Sequence, residues 1–173
     1  MDARTGALLE EKMLMFKRKS IKIEKLNDKE TVKVRIFGKK KKLVVFSVGD
    51  NRFDDNGKHK NSGFALSEKE IECLNWLINN INLNDYKKEI AEYCNNEYEM
   101  WSDKRIKPED VEKEISITAI AINVSEIWKS DDGSVIYPEI SFYGDCKCDE
   151  EHGICIGFRD KKYLGIASQD WTL

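Results

Sequence analysis

A chain of 173 residues with 40% hydrophobic and 35% charged side chains is long enough to bury a core of its own as a single domain, residues 1–173, without disulfide or metal staples. Its longest apolar runs, such as Leu43 to Val48, fall far below a bilayer span, and Glu10, Glu11 and Lys12 interrupt the N-terminal apolar patch, so neither a membrane helix nor a secretory signal is expected and the protein reads as cytoplasmic. The formal net charge of −3 conceals a basic first third, 17 Lys+Arg against 9 Asp+Glu over residues 1–60, and an acidic end, 8 Asp+Glu against Lys147 and Arg159 over residues 131–160.

In chain order, residues 1–12 read as a loosely held extension, with Met1, Met13 and Met15 all usable as starts. Ser20 to Leu26 alternates isoleucines with lysines, as a half-buried strand does. Thr31 to Phe37 repeats the pattern with Val32, Val34 and Ile36 inward, and Leu43 to Val48 is its hairpin partner. Lys39 to Lys42 falls where the hairpin turn is expected, so these lysines read as a solvated turn and no direct nucleic-acid partner is expected. Gly49 to Gly63, carrying His59, reads as an exposed loop.

Ser67-Glu68-Lys69-Glu70 is a capping box that opens a helix, with Ile71, Leu74, Leu77, Ile78 and Ile81 as its core stripe and an end near Asn79 to Asn82. Asn84 or Asp85 caps a second helix bearing Tyr86, Ile90, Tyr93 and Cys94, and Trp101 closes its end. Pro108 starts a short third helix that leads into a strand over Ile115 to Val124. Asp131 to Ser134 is a turn, Val135 to Tyr143 a strand interrupted by Pro138, and Ile154 to Phe158 pairs with Tyr163 to Ala167 across Arg159 to Lys162. The expected class is α+β: an antiparallel sheet, made of the N-terminal hairpin plus the C-terminal strands, packed against two or three helices.

The densest chemistry lies in the acidic turn over residues 145–153. Cys146, Cys148, His152 and Cys155 spell C-x-C-x3-H-x2-C, four soft donors that suit zinc by type. The spacing is compact for a knuckle, however, and a strand through Ile154 to Phe158 would send Cys155 across the sheet with Gly157 and Arg159. The expectation is therefore no metal and no cofactor, with Cys73 and Cys94 filling core space and no oxidised pairs. Asp145, Asp149, Glu150, Glu151 and His152 contain the types needed for acid–base work, but phosphate-loop, nucleophile-elbow and H-E-x-x-H motifs are absent from the sequence. Gly153 permits a positive backbone dihedral at the start of a strand. The turn is thus open to three readings: metal knuckle, catalytic turn, or a hairpin presenting negative charge to a partner.

Residues 142–170, F-Y-G-D-C-K-C-D-E-E-H-G-I-C-I-G-F-R-D-K-K-Y-L-G-I-A-S-Q-D, resemble the ending of small bacterial domains of unknown function, in which an acidic residue and Glu-His-Gly precede a hairpin that closes on Gln-Asp. The matching positions are Cys146, Asp149, Glu151, His152, Gly153, Gln169 and Asp170. Such families resemble immunity proteins of polymorphic or contact-dependent toxin systems. The resemblance implies an immunity protein that neutralises a cognate toxin by binding; the missing catalytic motifs add the expectation that it is not an enzyme, and helical stripes of a width the sheet consumes add the expectation of a monomer. Secreted nuclease toxins are commonly basic, which suits an acidic inhibitor surface. Its contacts would be Asp131, Asp132, Asp145, Asp149, Glu150 and Glu151, with Tyr143 and Trp171 as aromatic anchors. The alternatives are a metal-dependent hydrolase built on the His152 loop and a regulatory protein-binding module.

Overall fold

Alternating apolar residues build one sheet, and two amphipathic helices cover one of its faces. The computed structural model describes residues 22–26, 29–48, 66–124 and 129–172; the expected N-terminal extension, the alternative starts, the start of the first strand and the His59 loop lie outside them. The strands are β1 (Glu24–Leu26), β2 (Lys29–Ile36), β3 (Lys39–Ser47), β4 (Ile115–Ile122), β5 (Ile140–Cys146), β6 (Asp149–Arg159) and β7 (Lys162–Ala167). The helices are α1 (Glu68–Asn80), α2 (Lys87–Glu99) and the single turn α3 (Val111–Glu114).

The seven strands lie side by side in chain order. All neighbours are antiparallel except β3 and β4, which pair parallel from Val44 opposite Ala119 to Ser47 opposite Ile122. The expected α+β class holds, and this one parallel pair explains where the helices sit: a parallel join needs a long crossover, and the helical segment supplies it.

The hairpin between β2 and β3 turns more tightly than the lysine run suggests. Phe37 and Gly38 take positive φ values of 49° and 80°, the combination of a two-residue turn whose twist suits the flanking strands. Lys39 to Lys42 therefore form the first part of β3 rather than the turn. Two of these lysines pair with carboxylates, Lys39 with Glu112 at 2.9 Å and Lys42 with Glu24 at 3.1 Å.

Ser67 caps α1 as its sequence predicts. Its hydroxyl accepts from the Glu70 amide, and the Glu70 carboxylate accepts from the Ser67 amide at 2.8 Å. Leu74 and Leu77 are fully buried while Ile71 sits at the margin of the stripe. The second cap differs from expectation: the Asn82 side chain accepts from the Asn84 amide and starts a 3-10 turn, Leu83–Tyr86, from which α2 continues. Ile90, Ala91, Cys94 and Tyr98 form its buried face.

Between helices and sheet the core gathers Val32, Val34, Ile36, Leu43, Val45, Ile117, Ile120, Ile122, Phe142, Ile154, Ile156 and Phe158. Phe158 is its aromatic hub, ringed edge-on by Trp76, Tyr86, Phe142 and Tyr163. On the opposite face a smaller cluster joins Ala121, Tyr143 and Cys155, with Phe46, Val48, Ala119 and Trp171 against it. The strand expected from Val135 is shorter than its pattern suggests: Ile136 makes one isolated bridge to Lys129, and β5 begins at Ile140. No described helix is long and apolar enough to cross a membrane.

Candidate functional site: an acidic bulge under the end of α2

The region read as an acidic turn is mostly strand. Lys147 and Cys148 make a two-residue turn, and β6 begins at Asp149. The ladder then loses register, because Gly144 faces Ile154 whereas Cys146 faces Asp149. A step of two residues on β5 thus spans five on β6, and residues 150–153 swing out as a wide bulge carrying Glu150, Glu151 and His152. Glu150 and Glu151 are exposed.

Gly153 fixes this shape, as its sequence context predicts. Its φ is +62°, and a β-carbon there would collide with the Gln169 side-chain nitrogen and approach the Gly144 carbonyl oxygen to 2.5 Å. Gln169 in turn donates from Nε2 to that Gly144 carbonyl at 2.7 Å, and its own carbonyl accepts from the Tyr143 hydroxyl at 2.6 Å. The matched glycine and glutamine of the sequence resemblance are therefore two halves of one lock between the bulge and the segment after β7.

Within the bulge, Asp149 holds His152. One carboxylate oxygen accepts the His152 backbone amide at 3.0 Å and lies 3.0 Å from the ring Nδ1. This hydrogen bond, with the negative charge of Asp149, raises the imidazole above its ordinary pKa. Tyr93, Glu97, Asp149, His152, Ile166, Ala167, Ser168 and Asp170 line an open groove of about 390 Å³. The groove joins the one described histidine to three carboxylates from α2, β6 and the 3-10 turn Gln169–Thr172.

Above the turn stands the end of α2. Trp101 donates its indole N–H to the Cys148 carbonyl at 3.2 Å and leans on the Tyr98 ring, centroids 5.1 Å apart, yet is 62% exposed. Met100 beside it is 73% exposed. Beneath them, buried Glu114 accepts from the Tyr98 hydroxyl and from Lys104 Nζ, both at 2.7 Å. Burial opposes ionisation of Glu114, but these two donors outweigh it and hold its carboxyl below the usual range.

The remaining expected contacts are placed as follows. Asp145 is exposed on β5. Asp131 and Asp132 lie in a separate turn, where Asp132 accepts from the Ser130 hydroxyl at 2.6 Å and from the Ser134 amide and hydroxyl at 2.9 and 2.7 Å, lowering its pKa to about 2. Tyr143 is only 8% exposed, with its hydroxyl tied to Gln169. Trp171 donates to the Ile136 carbonyl at 2.9 Å and, with Pro138, lies over Gly157 on the second face of the sheet. Both aromatics thus have structural tasks, and the exposed aromatic beside the bulge is Trp101.

The four soft donors of the C-x-C-x3-H-x2-C pattern do not meet. Cys155 is buried on the opposite face of the sheet, as strand alternation requires, and His152 faces Asp149. Instead Cys94 of α2 joins Cys146 and Cys148, their three sulfurs all within 4.8 Å of one another, the group of soft donors able to hold a metal ion among the described residues. Cys146 and Cys148 are joined as a disulfide, contrary to the expectation of unpaired thiols. The tight turn brings their Cα atoms to 5.4 Å, inside the range a disulfide spans. Cys146 ends β5 and Cys148 lies in the turn that follows, so the pair depends on a tight turn that strand alternation does not signal, and nothing local signalled Cys94, 52 residues before Cys146.

No curated protein and no solved structure matches the chain significantly. A family model described as a domain of unknown function, DUF6985, matches residues 17–173, which takes in the bulge, the end of α2 and the Gln169 lock. The chain belongs to that family.

Proposed function

We propose that this protein is an immunity-type inhibitor that binds a basic toxin domain through the bulge on β6 and the end of α2. The observation that carries the reading is the exposed Trp101–Met100 knob, fixed by Trp101 to the turn that leads into the acidic bulge. A large aromatic held by a hydrogen bond loses little side-chain freedom on binding, and Trp is enriched among residues that dominate interface energies. Glu97 on α2, Asp145 on β5, and Asp149, Glu150 and Glu151 on β6 supply the charge that steers a basic partner. This moves the aromatic anchor from Tyr143 and Trp171 to Trp101 and sets Asp131 and Asp132 apart as a turn of their own.

The test is a binding titration with the product of the adjacent upstream gene, the toxin domain that this reading expects. Trp101→Ala should weaken binding by about 2 kcal/mol or more, ~30-fold, the cost typical of a central anchor. Glu150→Lys with Glu151→Lys should slow association and flatten its salt dependence. Unchanged affinity in folded variants of both kinds rejects this face, and no binding by the wild type rejects the immunity reading.

A second reading draws on the groove, where His152 meets Glu97, Asp149 and Asp170. A histidine with carboxylates in one depression is a constellation for acid–base or metal-assisted hydrolysis. Hydrolytic turnover or stoichiometric metal that His152→Gln abolishes, with binding to the toxin domain intact, would favour this reading.

A further inference from the structure

We propose that Cys94, Cys146 and Cys148 form a three-thiol exchange site, in which one disulfide moves between a local link across the β5–β6 turn and a long-range link that staples α2 to the sheet. The local link is Cys146–Cys148. The long-range link is Cys94–Cys146, whose sulfurs lie 3.7 Å apart. The inference is independent of the immunity reading.

Three observations support it. The sulfurs come from α2, from β5 and from the turn after it, yet converge within 4.8 Å of one another, and all three residues are buried. The remaining described cysteines lie elsewhere: Cys155 is on the opposite face of the sheet, and Cys73 is on α1 with Glu139 against it. The residues above the site also hold it together, since Trp101 bonds the Cys148 carbonyl and the Lys147 amide donates to the Glu114 carbonyl at 3.0 Å. Cys94 is therefore held against the disulfide rather than meeting it by chance collision.

The exchange balances without any outside reagent. The Cys94 thiol gives up its proton and its sulfur attacks Cys146 Sγ. The Cys94–Cys146 bond forms, the Cys146–Cys148 bond breaks, and the electron pair leaves on Cys148, which takes up a proton. Burial first of all, then the negative charge of Glu114, pushes the Cys94 thiol up to about 12, while Lys104 favours its thiolate. Exchange should therefore be slow at neutral pH and accelerate as pH rises or the end of α2 loosens. The product constrains the chain differently: the local link closes two steps of backbone, the long-range one closes 52, and the longer loop restricts the unfolded chain more.

The test is non-reducing disulfide mapping of the full chain after thiols are trapped by alkylation in denaturant; tryptic cleavage after Lys147 separates Cys146 from Cys148. Wild type should show the Cys146–Cys148 link at pH 7 and gain a Cys94–Cys146 link on incubation at pH 9. Cys148→Ser, exposed to oxidised glutathione, should first form a mixed disulfide and then close to Cys94–Cys146, releasing two glutathione thiols in all, with a rise in Tm. Cys155→Ser should behave as wild type. If Cys148→Ser keeps its native circular dichroism but Cys94 stays alkylatable, the proposal is overturned. Should that variant fail to fold, wild type at pH 9 decides, and the absence of any Cys94 link there overturns it too.

Discussion

Gly153 and Gln169 explain at the residue scale why a short sequence resemblance marks a structure. Gly153 must be glycine twice over, for its positive φ and for the Gln169 side chain lying where a β-carbon would go. Gly153→Ala should destabilise the protein by about 1–3 kcal/mol in chemical denaturation, the usual cost of a strained backbone conformation. The need for a positive dihedral is legible from a glycine after an acidic run; its partner, 16 positions later, is not, because no local periodicity links them. His152 gives a pH prediction. Its folded pKa is raised by Asp149, so the pair's contribution is fully present below the unfolded pKa and is lost as pH rises through the folded value. An NMR titration of the His152 ring should show the raised midpoint fall toward the ordinary histidine range in Asp149→Asn, and an unmoved midpoint would contradict the pairing.

At the scale of elements, the end of α2 joins several unrelated-looking residues. Tyr98, Lys104 and Glu114 make one network under Trp101, and Asn95 fixes the following segment by accepting the Ile106 amide at 2.8 Å and donating to its carbonyl at 3.1 Å. Tyr98→Phe removes a donor from a buried carboxylate and should cost about 1–3 kcal/mol in thermal or denaturant unfolding. Glu114 has a lowered folded pKa, so its contribution is present above the unfolded pKa and is lost as pH falls through the folded one. The acid limb of the stability curve should therefore flatten in Glu114→Gln relative to wild type. Capping chemistry made α1 legible, and alternation made β2, β4 and the β6–β7 hairpin legible. Four consecutive lysines conceal the start of β3, since their long stems leave the edge of a strand without apolar alternation. The run from Val135 overstated a strand because Pro138 and the Asp132 turn divert the chain before Ile140. Trp101 was legible as a helix end but not as a surface knob, since exposure of a Trp is decided by what folds beside it.

For the whole molecule, one sheet in chain order with one crossover accounts for the placement of everything else. The sequence pattern cannot tell the parallel β3–β4 join from an antiparallel one, because strand alternation is the same in both. The helices inserted between β3 and β4 are what fix the direction of pairing. Hydrogen exchange should be slowest at β4, β5 and β6, whose Ile120, Ile140, Phe142, Ile154, Ile156 and Phe158 are at most 2% exposed, and faster at β1 and β7 on the edges of the sheet; equal protection across all seven strands would contradict this layout. That same join sets a schedule for synthesis. Ser47 ends β3 and Ile115 starts β4, so a ribosome adding about 5–20 residues per second delivers the first hairpin several seconds before the strand that will cover its open side. During that wait Val44 to Ser47 of β3 are an unpaired border, and the lysine run that precedes them is the kind of charge that discourages edge-to-edge pairing.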